Sequence, residues 1–149
     1  MPTEPVPINE FLTDLENQWA YSNVTGTSKK PAFVEVTGDG EPMRFDLNYN
    51  DHFIGRAGNP AIEEQPIGNW TYGNRTYNLD LEVYTLTSRQ RLYDLARELR
   101  RVCHARMHSL SNFQLQQFVN FQELTQEQAN LWAGTITVTL TNNAVLLET

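Results

Sequence analysis

Three features of the 149-residue sequence predict an α+β fold, a mostly antiparallel sheet with an N-terminal helix and one long amphipathic helix packed on one face. A period of two from Tyr77 to Thr85 runs almost directly into a period of three to four from Ser88 to His108, so a strand feeds a helix with little loop. A second amphipathic stretch lies near the N-terminus. The other patterned segments are short, alternating and separated by turn residues. With 40% hydrophobic residues, the length suits one domain over 1–149 better than two marginal cores.

Residues 1–7 carry Pro2, Pro5 and Pro7 and little to bury, the composition of an extended N-terminal arm. Ile8, Phe11, Leu12, Leu15, Trp19 and Ala20 then recur at helical spacing, with Glu10, Asp14 and Glu16 turned outward. Ala32 to Thr37 reads as a strand closed by the Gly38-Asp39-Gly40 turn, with a partner strand from Met43 to about Tyr49. Residues 50–75 hold Gly55, Gly58, Pro60, Pro66, Gly68 and Gly73 and keep no period. This predicts a long interaction loop, since compact domains seldom contain unstructured connections beyond about 12–15 residues without a functional reason. Trp70 and Tyr72, near its end, suit either a contact with a partner or a pin onto the sheet.

The central strand presents Tyr77, Leu79, Leu81, Val83 and Thr85 to one side and Asn78, Asp80, Glu82 and Tyr84 to the other. In the helix that follows Thr87-Ser88, Leu92, Leu95, Ala96, Leu99, Val102, Cys103 and Met107 form the apolar stripe. At 1.5 Å per residue it would be about 30 Å long, enough to cross a small sheet. After a turn at 109–112, Phe113, Leu115, Val119 and Phe121 suggest another strand, and Thr125 to Gln128 a short helical turn or bulge. Ile136, Val138 and Leu140 alternate with threonines in a strand over 134–141. Asn142-Asn143 reads as a turn, before a last short strand or apolar tail at Ala144 to Leu147.

Charge narrows the function. The net charge of −7 argues against a general nucleic-acid binder, which draws its affinity from neutralising phosphates. Yet Arg89, Arg91, Arg97, Arg100, Arg101 and Arg106 stand against only Asp94 and Glu98, so one basic helix sits on an acidic body. No secretion-like stretch opens the sequence and no apolar run reaches the roughly 18 residues of a membrane span. The expectation is a soluble product of the cytoplasm with no membrane contact. The three Asn-x-Thr triplets then carry no meaning, and the single Cys103 is a small core residue.

Catalytic patterns are missing. His104 and His108 have the four-residue spacing of a zinc pair, but Ala105 stands where a metalloprotease places glutamate, and a solvated helix end favours the same residues. There is no Gly-x-Ser-x-Gly elbow, phosphate-binding glycine loop or paired-cysteine motif. Glu63-Glu64 and Asp80/Glu82 are carboxylate pairs without an accompanying motif, which is how an exposed acidic surface reads. We therefore expect no enzyme, no cofactor and no metal. The basic helix beside Tyr- and Phe-bearing strands suggests a small RNA-binding α+β module, but the polar side of the 78–83 strand is acidic. The other possibility is that the basic helix meets the acidic surface of a second copy.

The order of elements, with "TYNLDLEVYTLTSRQRLYDLARELRRVCHARM" and a closing "WAGTITVTLT", resembles the tail-terminator or tail-completion proteins of long-tailed bacteriophages over Ile8 to Leu140. The resemblance implies a non-catalytic virion protein of the tail or neck. It would assemble with itself as a ring, typically a hexamer, capping the tail tube protein and docking the head-tail connector or stopper, while DNA passes through without specific binding. Arg89, Arg97, Arg100, Arg101, Trp70 and Tyr72 are then the candidate interface residues, and Asp51, Glu63 and Glu64 a candidate acidic lining of the channel. The alternatives are a neck or head-completion protein, or a stand-alone RNA-binding module.

Overall fold

The computed structural model describes residues 6–19, 31–36, 50–56, 61–67, 72–126 and 128–146. The elements in chain order are α1 (Pro7–Gln18), β1 (Ala32–Val36), β2 (Asp51–Arg56), β3 (Ala61–Pro66), β4 (Tyr72–Thr85), α2 (Arg89–Ala105), β5 (Leu115–Glu123) and β6 (Trp132–Leu146). The sheet runs β1-β2-β4-β6-β5, with β3 on the same flank of β4 as β2. All neighbours are antiparallel except β1 and β2. The fold is therefore α+β with a mixed sheet, as the sequence predicts.

β4 and β6 are its spine. Tyr77, Leu79, Leu81 and Val83 of β4 lie opposite Leu140, Val138, Ile136 and Gly134 of β6, and these residues share one buried face with Phe53. Both helices cover that face. α1 contributes Ile8, Phe11, Leu12 and Leu15, and α2 contributes Leu92, Leu95, Leu99, Val102 and Cys103. Each fully buried leucine stabilises the fold by about 1.5–3 kcal/mol. Gly55 is what lets α1 sit close, because a Cβ there would lie 2.6 Å from Ile8 Cδ1. Ser88 caps α2 by accepting from the Arg91 N–H, as Thr87-Ser88 suggests.

Several expectations need correction. Residues 50–75 are not one long loop: they contain β2, β3 and the start of β4. Neither new strand alternates, for opposite reasons. β2 is buried on both faces, with Asp51 and Phe53 on one and His52 and Ile54 on the other, whereas every residue from Ile62 to Ile67 is exposed. Asn142 and Asn143 are not a turn but part of β6. Asn142 Oδ1 accepts from the Gln114 N–H, its amide donates to the Asn112 carbonyl, and the Asn143 N–H donates to Gln114 Oε1, so the pair ties the α2–β5 connection to β6. Pro7 opens α1 at a position where its missing N–H has no helical partner to lose, so it belongs to the helix and not to an extended arm; residues 1–5 lie outside the described residues. α2 ends at Ala105 rather than His108. The Gly38-Asp39-Gly40 turn, the strand at 43–49 and Ala20 lie outside the described residues.

Candidate interaction surfaces

The arginines of α2 separate by face. Arg91 points inward and is 4% exposed; its Nε and Nη2 donate to Asp51 Oδ2 at 3.0 and 2.7 Å, while Thr85 Oγ1 donates to Asp51 Oδ1 at 2.6 Å. This cluster bolts the start of α2 to β2 and the end of β4. Asp51, 5% exposed, therefore cannot line a channel, which corrects its place in the acidic lining. Arg106 reaches across to Asp14 of α1 at 2.8 Å. Arg101 donates to Glu98 and to the Gln18 carbonyl, so it ties α2 to the end of α1.

Arg89 is exposed but engaged. It holds Glu123 at the end of β5 through two hydrogen bonds of 2.8 and 2.9 Å, and the Tyr93 hydroxyl donates to the same carboxylate at 2.6 Å. The Arg89 guanidinium, then the Tyr93 hydroxyl, hold the Glu123 carboxyl below its ordinary range, and hydrogen bonding to Glu123 raises the tyrosine. Arg97 and Arg100 remain: both are exposed, and neither has a hydrogen bond or ion pair among the described residues. With His104 they form a ridge on the solvent side of α2, along i, i+3 and i+7. Helical spacing separates the inward arginine from the ridge, because Arg91 shares a stripe with Leu95 and Val102, whereas Arg97, Arg100 and His104 lie opposite.

The second surface is an arm. β3 pairs with Gly73 to Asn78 of β4, and the Ile67 N–H bonds the Tyr72 carbonyl at 3.0 Å, making a hairpin at one end of the sheet. Ile62 (52% exposed), Ile67 (48%) and Tyr72 (48%) put apolar groups in solvent on it. Glu64 is bound by Arg75 at 2.6 Å, and that bond raises the arginine pKa. Glu63 lies on the other face opposite Thr76, exposed, without a partner among the described residues. Trp70 lies outside the described residues.

The third surface is the sheet face away from the helices. Across β4, β6 and β5 it presents Asn78, Asp80, Glu82, Thr135, Thr137, Thr139, Gln117 and Gln122, with no lysine or arginine. Thr137 donates to Asp80 at 3.1 Å and Tyr84 to Glu82 at 3.1 Å. Among the described residues no group of three His, Cys, Asp or Glu side chains converges on a metal-sized site. His108 lies beyond α2 and faces the Gln114 carbonyl, so the zinc-pair spacing of His104 and His108 is not realised on a helix. Burial, and then the nearby Asp14 carboxylate, push the Cys103 thiol up to about 12. No described helix is long and apolar enough to cross a membrane.

No family model and no curated protein matches the sequence. The fold does recur among solved structures. A chain from the virion of a native gene transfer agent particle superposes with a TM-score of 0.64 at 10% identity, over 95% of this chain and 100% of that one. The likeness spans nearly all of this chain and all of that one, so it concerns the α+β fold as a whole rather than a small shared substructure.

Proposed function

We propose that the chain is a virion structural protein, a tail terminator that closes the tail tube as a homo-oligomeric ring and meets the head-tail connector. The observation that carries this is the end-to-end match of its fold to a virion chain. Three properties support it. The surface offers an unpaired basic ridge and an arm exposed on both faces, which suit contacts between subunits better than a substrate pocket. The buried polar cluster at Asp51 and Arg91 braces the fold and has no access for a ligand. Across β4, β6 and β5 the polar sheet face bears Asp80 and Glu82 and no lysine or arginine, so it repels phosphate and suits a wall past which DNA slides. The same acidity counts against an RNA-binding module. In this reading the protein is non-catalytic and binds no cofactor. The test is assembly: purified protein mixed with tail tubes is expected to cap one end of each tube in electron micrographs, and bare or laterally decorated tubes would refute the role.

A further inference from the structure

The oligomer proposed above needs a defined contact between copies, and two features described so far lack a partner within the chain. One is the arm, where Ile62, Glu63, Gln65 and Ile67 are all exposed and the outer edge of β3 pairs with no described strand. Such an edge, bearing apolar side chains, is an invitation to association that a solitary protein would blunt. The other is the ridge of Arg97, Arg100 and His104, with a shallow, mainly apolar depression between the arginine stems, Arg101 and Ala105. The two do not satisfy each other within one chain, since Glu63 and both arginines lack partners among the described residues.

Resting on that reading, we infer that the β3–β4 arm of one copy docks on the α2 ridge of the next, with Glu63 facing Arg97 and Arg100 and with Ile67 and Tyr72, which share its face of the arm, covering the depression. Charge selects this occupant. Glu63 is the unpaired acid of the arm because Glu64 is already held by Arg75. On α2, Arg89 is held by Glu123 and Arg101 by Glu98, which leaves Arg97 and Arg100 as the unpaired cations. The opposite sheet edge, β5, is a poorer acceptor because its ladder is interrupted between Phe118 and Asn120. Arm and ridge are different patches, so the contact is head-to-tail and propagates around a ring rather than closing as a two-fold dimer.

The test uses the full chain in two charge-reversed forms, Glu63→Lys and the double substitution Arg97→Glu/Arg100→Glu, each checked for native circular dichroism. In sedimentation velocity each variant alone juxtaposes like charges and is expected to self-associate about tenfold or more weakly than wild type. An equimolar mixture restores both contacts, positive arm on negative ridge and negative arm on positive ridge, and is expected to reassemble as an alternating oligomer. Undiminished association of either variant alone, or a mixture that stays dissociated, overturns the pairing and places the arm on another strand edge or another tail protein. Wild-type protein that associates while ignoring both reversals sinks this contact alone. Wild-type protein that is monomeric even with tail tubes sinks the oligomer as well.

Discussion

Replacing Asp51 by alanine is the sharpest perturbation of the fold. The carboxylate accepts from Arg91 at 3.0 and 2.7 Å and from Thr85 at 2.6 Å, and both ends of the ion pair are almost fully buried. Removing it leaves a guanidinium inside the protein without a counter-charge, which costs about 3–5 kcal/mol in comparable buried pairs. With a urea dependence of roughly 2 kcal/mol per molar, the unfolding midpoint should fall by about 1.5–2.5 M. That is a large share of the 5–15 kcal/mol typical of a domain's total stability. Replacing both partners, as in Asp51→Leu/Arg91→Met, should recover most of the loss. The native pair leaves Arg91 Nη1 without an acceptor, and an apolar pair has no such orphan. A midpoint shift below about 0.5 M in Asp51→Ala would refute the buried bolt.

Gly134→Ala should destabilise by about 1–3 kcal/mol in the same urea assay, because the new Cβ would lie 2.6 Å from Phe121 Cε2 and 3.0 Å from the Gln122 carbonyl. Cys103, with its thiol pushed up to about 12, should stay unlabelled by a disulfide reagent at pH 8 and react promptly once urea unfolds the chain. Fast labelling of the native protein would contradict its burial. Glu123 has a folded pKa below its unfolded one, so its contribution is present above the ordinary glutamate value of about 4.3 and is lost as pH falls through the lowered value. The stability difference between wild type and Glu123→Gln should accordingly be seen at pH 7 and vanish in acid. A difference that grows on acidification would mean the carboxylate is not held by Arg89.

Where one face of an element is wet and the other dry, its pattern survives in the sequence. That is why β4, α1, α2 and the first part of β6 are legible, with Tyr77, Leu79, Leu81 and Val83 and the Leu92, Leu95, Leu99, Val102 and Cys103 stripe in the core. The pattern vanishes where both faces share a fate, as in doubly buried β2 and doubly exposed β3, and the 50–75 region then reads as loop. Asn142 and Asn143 mislead for another reason: the Asn142 side chain and the Asn143 N–H bond the α2–β5 connection, a long-range use that local turn preference does not reveal. The basic helix was visible as a run of charge, but which arginines are free depends on partners far away in sequence. Glu123 lies 34 residues from Arg89 and Asp51 lies 40 from Arg91. Hence Asp51 reads as a surface acid although it is a buried anchor.

The central claim, that this chain works as a closed assembly of identical copies on a tail tube, is tested most directly by native mass spectrometry of the purified protein with and without tubes. A discrete oligomer near six times the 17.1 kDa chain mass, alone or recovered from tube ends, is expected. A 17.1 kDa monomer under every condition, with or without tubes, would contradict it.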